Sequence, residues 1–511
     1  MLSMRIDTLP HTSWEWHNGR WCSGRSWIAP YDHPALDTWS VHDSQRTIFQ
    51  VRERLPGQQA HAPGGPRPVS KRAYDQALAE ATAWAGAHHL IEISPQGITL
   101  RTGARCPAPV YLAVRQAALH AHWDITQLRD STTDQNLDPI GTARLLALTG
   151  HYSTRTAWAG IRLLTEQSTA CFHDGELTVD LPEASRHDQA RELAPTSRVL
   201  DGYETLLDAV LADLHYLPER TAIELSGGMD SSNVAMSLAR RHGAALVSGA
   251  LLQEGAAGAQ QQRRREAMIR YAGFRDTLLR AADYLPMDPR HASSSPLGPH
   301  EEIYIAGHST LLAKWHADGM LWSATGVGGD EMLSLPPEPR SPLAKSSLPP
   351  WLTDAAFEAL QDQEAGVPPA PPISDSTLRA MACGAPMYLR AGLWPLYPLA
   401  DVTLWRFGQW LPFSWRRNKR LARARLQRLG FPPEVAHPLL RENFQDVLHE
   451  ALHRFAPQGL HRLLSEGSPL LEVGYLNADE LAAAAERIEA QRMRDTDAKV
   501  VHVLRLHQAL I

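Results

Sequence analysis

Cysteine is scarce in this 511-residue chain: Cys22, Cys106, Cys171 and Cys383 lie far apart and form no CxxC pair. Zinc ribbons and sulfur-relay chemistry are therefore not expected, and buried thiols in a reducing cytosol are. No apolar run reaches the ~18 residues of a membrane span. The polar N-terminus is broken by Pro10 and has no signal-peptide core, so the expected location is cytoplasmic. There is no Walker A string and no HExxH among the 24 histidines. Nor is there an excess of basic charge. A net charge of −6 argues against general nucleic-acid binding. What is present is a globular composition, 43% hydrophobic and 21% charged. The length exceeds one core and predicts two or three domains.

Residues 1–195 read as mostly β. "IEISPQGITLRTG" and "ACFHDGELTVDLP" each alternate around a glycine-containing turn. The stretch Arg54 to Ser70 is too rich in Pro and Gly to be an element. Helical spacing begins at Asp201 and runs to Leu217, which places a boundary just before it. From there strands and helices alternate: "TAIEL", "SSNVAMSLARRHG", "AALVSGALL", "RRREAMIRYAG". Such alternation predicts a parallel sheet with helices on both faces. "GMLWSATG" is a third strand. Ser334 to Ser374 is a proline-rich insertion with one helix at "TDAAFEALQDQ", and the chain beyond Leu404 is mainly helical.

The informative corner is "TAIELSGGMDSSNVAMSLARR", Thr221 to Arg241. A strand ends, Ser-Gly-Gly follows, and a helix begins. Ligands of open α/β sheets bind at this edge. Gly227 and Gly228 allow close backbone approach, and the free N–H groups of the helix start favour an anion. Ser226, Ser231 and Ser232 add hydroxyl donors. Asp230 suits such a place when Mg²⁺ lies between it and phosphate oxygens. An ordinary βα turn with a serine cap accounts for the SGG alone. A second glycine turn, "SATGVGGDEML" (Ser323 to Leu333), ends another strand and can bring Asp330 beside Asp230 on one metal; a helix-capping Asp is the plainer reading.

The first string resembles the PP-loop of the ATP pyrophosphatases, and the two together resemble the synthetase domain of the asparagine synthetase superfamily. "LYPLADVTLWRFGQWLP" (Leu396 to Pro412) is similar to that family's segment closing the sheet. "LLRENFQDVL" (Leu439 to Leu448) is similar to its later Lys-x-x-Phe segment. The resemblance implies a synthetase domain over residues 196–511, with ATP against Leu225, Ser226, Gly227, Gly228, Asp230, Ser231, Ser232, Thr325 and Gly326. Asp230 and Asp330 would hold Mg²⁺. Arg441 stands where the family has a phosphate-contacting lysine and is expected to stabilise the adenylation charge; Lys419 or Arg420 is the alternative. Residues 1–195 match the position of the family's glutaminase-like (Ntn-type) domain, a class II glutamine amidotransferase fold.

Asparagine synthetases carry a cysteine next to the initiator Met, but here residue 2 is Leu2. The domain is therefore expected to be degenerate, with no glutamine hydrolysis. The chain resembles the lasso peptide cyclases best, whose first domain is degenerate and whose second motif reads like "GVGGD". That implies an AMP-forming ligase. It would adenylate an Asp or Glu side chain of a linear precursor core peptide, and the peptide's own N-terminal amine would then close a macrolactam. A leader peptidase is the implied partner. Val327 occupies the family's acid/base position and can serve as neither, so the amine must lose its proton elsewhere or arrive neutral. The "QQQRRREAM" run reads as a solvated helix face. The rival readings are another amide-forming synthetase of the superfamily, asparagine or β-lactam synthetase-like, and a non-catalytic partner that binds peptide or nucleotide. A tRNA-modifying PP-loop enzyme is disfavoured by the lack of paired cysteines.

Overall fold

The computed structural model describes residues 1–8, 13–131, 136–185, 189–291, 297–335, 343–369, 371–440 and 442–511. Pro10 and Arg441 lie outside them. The first 180 residues build two seven-stranded sheets. One is centred on Leu2–Asp7, which pairs antiparallel with Ala118–His122 and Ser26–Pro30. The other is centred on His88–Ser94, between Thr47–Glu53 and Gly97–Thr102. Gly97–Thr102 alternates between half-buried and buried, as a strand with one face on a core should. The Pro- and Gly-rich stretch after Arg54 ends in a two-residue edge strand, Arg67–Pro68. Two helices not expected from the sequence interrupt the β pattern: Lys71–Thr82, capped by Ser70, and Pro139–Ala147, capped by Asp138.

The helix Val199–Asp213 follows. It ends at Asp213, where Leu214 is already extended, and Leu217 is extended too, as a residue before proline prefers. The second half is a mixed α/β unit around a five-stranded sheet. The strand order is Arg275–Arg280, Val247–Leu252, Thr221–Glu224, Trp322–Ala324, Trp394–Leu396. All four pairings are parallel, and helices cross between the strands. The edge strand Arg275–Arg280 was not legible in the sequence, since four of its six residues are exposed. The helices Ile305–Ala317 and Asp375–Arg390 were also unmarked.

Part of the proline-rich insertion packs into a core. Trp351 is fully buried, and Leu352, Ala356, Leu360 and Ile373 join the same apolar cluster as Leu146 and Trp158 of the first half. Arg144 binds it down by donating to the carbonyls of Asp362, Gln363 and Ala365.

The two halves meet over polar as well as apolar contacts. Trp394 Nε1 donates to Glu53 Oε1 at 2.9 Å, and Tyr31 OH donates to the carbonyl of Leu389 at 2.7 Å. Arg390 donates from Nε and Nη2 to both oxygens of Asp124, at 2.7 and 2.9 Å, and from Nη2 to Glu301 at 2.8 Å. Burial alone would raise the Asp124 pKa, but these bonds outweigh it and hold the group below its usual range. Both acids are almost fully buried. Removing one partner of such a pair typically costs about 3–5 kcal/mol, because it leaves charge uncompensated in the interior. Arg390→Met is therefore expected to lower the unfolding free energy by roughly that amount, about 3 kcal/mol or more. Urea denaturation followed by tryptophan fluorescence measures it, and an unchanged midpoint would exclude the bridge as a structural tie.

Candidate active site

The register of the parallel sheet creates the site. Ile223 lies directly beside Ala324, so the chain leaves both strands at the same edge and the two glycine turns start side by side. The turns touch. A Cβ on Gly326 would stand 2.5 Å from the backbone nitrogen of Ser231, and one on Gly329 would stand 2.4 Å from Asp230 Cγ. Gly227 has φ +88°, a conformation side chains disfavour. The helix Met229–His242 then begins with Gly228 at its cap and no side chain capping it. Its first-turn N–H groups are left for an anion.

The predicted residues fall as follows. Leu225 is fully buried and anchors the turn, its N–H donating to the carbonyl of Gly249 at 3.0 Å. Ser226 is exposed; its hydroxyl shares a 3.0 Å bond with Ser231 and accepts from the Gly228 N–H at 3.2 Å. Ser232 points inward and donates to the Gly228 carbonyl at 2.5 Å. Thr325 is buried; its N–H donates to the carbonyl of Leu396, and its hydroxyl accepts from Val327 N–H. Val327 packs at the rim of an apolar cluster. Arg441 lies outside the described residues. Its neighbours are tied down: Gln260 donates to the Leu440 carbonyl, and Arg264 pairs with Glu442 at 2.6 Å.

Asp230 and Asp330, 100 positions apart, are bridged by one cation. Lys419 Nζ is 2.5 Å from Asp230 Oδ2 and 2.6 Å from Asp330 Oδ1. Asp230 is enclosed, whereas the Asp330 side chain is 75% exposed, so the cluster opens to solvent on one side. Burial raises the Asp230 pKa to about 6; Lys419 opposes the rise and Asp330 adds to it. Burial would lower the Lys419 pKa, but the two acids outweigh it and raise it. Lys419 is delivered by an unusual turn. Asn418 and Lys419 both adopt left-handed backbone, φ 53° each. That costs roughly 1–2 kcal/mol for a residue with a Cβ, so the surroundings must hold it. The following helix, Arg420–Arg428, does so through Arg425. This fully buried guanidinium donates to the Asn233 carbonyl at 2.7 Å and to Ser237 at 2.6 Å. The lysine's turn is thereby bolted to the helix that starts at the glycine turn.

The "QQQRRREAM" run corrects the expectation of a solvated face. Gln260, Gln261, Arg264 and Arg265 are buried in the helix Gly255–Ala272. Gln261 donates to the carbonyls of Ser226 and Leu251, and Arg265 donates to the carbonyl of Leu225 while pairing with Asp276. These side chains fix the backbone that presents the glycine turn.

Chemically, the place offers free N–H groups and hydroxyls to an anion, and two carboxylates with a lysine at one mouth. Magnesium commonly uses one or two carboxylates together with phosphate oxygens; Asp230 and Asp330 fit that requirement. No group of three or more His, Cys, Asp or Glu poised for a metal occurs among the described residues. No helix among them is long and apolar enough to cross a membrane.

No family model and no curated protein matches the chain. Among solved structures, the U34-tRNA thiolase NcsA from Methanococcus maripaludis with its [4Fe-4S] cluster is similar over 46% of this chain and 76% of that chain, at 14% identity and a TM-score of 0.23. At that score the likeness carries no argument.

Two outcomes are expected in the metal-free protein. In Lys419→Met, Asp230 titrates above its present value of about 6, because the opposing cation is gone; carboxyl ¹³C NMR reads the shift, and an unmoved midpoint would refute the pairing. A raised carboxyl pKa contributes stability below the unfolded value of 3.8 that is lost as pH climbs through about 6. The variant should therefore lose more stability than the parent over that climb.

Proposed function

We propose that the chain is an ATP-dependent, AMP-forming ligase that closes a macrolactam in a peptide, of the lasso cyclase type. The observation that carries the reading is the convergence of Asp230, Asp330 and Lys419 on the two glycine turns. ATP is the anion that such a place suits: its phosphates meet the N–H groups at the start of Met229–His242 and the hydroxyls of Ser226 and Ser231. Mg²⁺, held by Asp230 and Asp330, would neutralise phosphate charge there.

In the first step a side-chain carboxylate oxygen of the peptide attacks the α-phosphorus. The bond from that phosphorus to the bridging oxygen breaks, and pyrophosphate leaves. Lys419 is placed to face the charge that builds on the phosphate oxygens, the role that sequence similarity suggested for Arg441. In the second step the peptide's α-amine attacks the acyl carbon, the acyl–oxygen bond breaks, AMP leaves, and the amine gives up its proton. An α-amine with a pKa near ~8 is partly neutral at pH 7, so the absence of an acid or base at Val327 is no obstacle. Most of the rate gain comes from positioning and fixed charge. Water must be kept from the acyl-adenylate once it forms.

The test incubates the full chain with ATP, Mg²⁺ and a leader-free core peptide that carries an internal Asp or Glu. AMP and a product lighter by one water are expected by mass spectrometry. Asp230→Asn and Lys419→Met should each lower AMP formation by about 10²-fold or more, the usual cost of removing one preorganised charge partner. A chain that never makes AMP with any peptide acid would be a binding protein, and the proposal would fall.

A further inference from the structure

The attacking amine of the second step must shed a proton, and Val327 cannot take it. Even an amine that arrives neutral becomes positively charged on nitrogen as its bond to the acyl carbon forms. One acid at this edge of the sheet has no part in the first step. Glu224 is the last residue of the central strand Thr221–Glu224, two positions before Ser226. Its Cα is about 7 Å at most from that of Ser226, where the glycine turn starts.

The other residues of that strand, Thr221, Ala222 and Ile223, are completely buried, whereas Glu224 keeps accessible surface. It lies on the same face as Ala222, a face otherwise packed with apolar side chains such as Leu311 and Trp315. The register that sets Ile223 beside Ala324 sets Glu224 beside Thr325. The Thr325 N–H donates to the Leu396 carbonyl, so Tyr397 comes next in the row. Tyr397 is within electrostatic reach of Glu224 and shares an apolar cluster with Val327. The acid is thus one side chain removed from the position that lacks one.

The groups that face Glu224 come from every element around it. Tyr388, on the helix Asp375–Arg390, donates its hydroxyl to Oε1. His308 comes from the helix Ile305–Ala317, Ser323 from the strand Trp322–Ala324, and Tyr397 from just beyond Trp394–Leu396. Burial raises the Glu224 pKa, while His308, Tyr388 and Ser323 oppose the rise. Burial also pushes the phenols of Tyr388 and Tyr397 far up, and Glu224 adds to this. Neither phenol gives up a proton near neutral pH, so Tyr388 serves only as the donor that aims the carboxylate. A recessed carboxylate that solvent still reaches, fixed through one oxygen and tuned upward, has the form of a general base.

We propose that Glu224 is the general base of ring closure, with Tyr388 as its positioning residue. The assignment rests on the ligase reading above. The amine nitrogen bonds to the acyl carbon, and its proton passes to the carboxylate oxygen that Tyr388 leaves open. The acyl–oxygen bond breaks, and AMP departs with that electron pair. Glu224 then gives the proton to water before the next turnover.

Single-turnover kinetics of the full chain with ATP, Mg²⁺ and the core peptide separate the two steps. Pyrophosphate release reads adenylation, and loss of water from the peptide reads closure. Glu224→Gln keeps the shape and the contact with Tyr388. It should still release pyrophosphate, while closure slows by about 10²-fold or more, the usual contribution of a general base. Hydroxylamine is largely neutral at neutral pH and needs no such help, so it should trap the acyl group as a hydroxamate equally fast in parent and variant. Closure by the parent should fall on the acid side as Glu224 takes up its proton. Tyr388→Phe removes a donor that favours the carboxylate, so that fall should move to higher pH, and His308→Gln should move it the same way. Closure as fast in Glu224→Gln as in the parent overturns the assignment, and so does hydroxylamine trapping that declines together with closure, the mark of a structural role. Closure lost in His308→Gln but kept in Glu224→Gln overturns it in favour of the histidine. Should Glu224→Gln lose both steps, the profile of Tyr388→Phe decides, and an unmoved acid limb overturns the assignment. A parent that releases no pyrophosphate with any peptide acid sinks the ligase itself, whereas a parent that closes the ring without needing Glu224 sinks only the base.

Discussion

One ammonium group holds the site together. Without Lys419, Asp230 and Asp330 would be two like charges pressed to one mouth, one enclosed and one open to water. Repulsion and burial both push Asp230 toward the neutral form. The lysine offsets this, and it is set in place by a backbone turn that few side chains tolerate. The strain is stored where the chemistry is proposed, a common place for it, and the cost is met by the packing of Arg425 behind the turn.

Around that contact the fold supplies position rather than reactivity. Parallel register brings two chain reversals to one edge, and small residues let them touch. Gln261 and Arg265 then hold the strand ends by their carbonyls. Interior arginines recur in this half: Arg264, Arg265 and Arg425 are almost completely buried, each with several acceptors. A planar fork can satisfy that many acceptors in a dry setting where a lysine would leave some unmet.

Much of this was legible in the sequence. The strand–turn–helix at Thr221 to His242 stood out because a short apolar run meets two glycines and then helical spacing. Asp330 stood out because a second glycine turn follows a second strand. Less visible was which cation joins them. Similarity of motif favoured Arg441, but the choice depends on a left-handed reversal at Asn418 and Lys419 that no local pattern announces. The basic run at Gln260 to Arg265 looked solvated because polarity alone does not show that backbone carbonyls wait opposite. The apolar stripe Leu421, Ala422, Leu426 did hold a clue: Arg425 sits inside it, and a cation on an apolar face needs buried acceptors. The edge strand Arg275–Arg280 carried no clear alternation because four of its six residues are exposed and only Leu279 is buried.

The largest apolar cluster runs without a break from Met4 and Phe49 through Ile223 and Trp394 to Ala436. Neither half thus owns a complete interior. Excising either would expose a broad greasy face, so neither half is expected to hold its fold without the other.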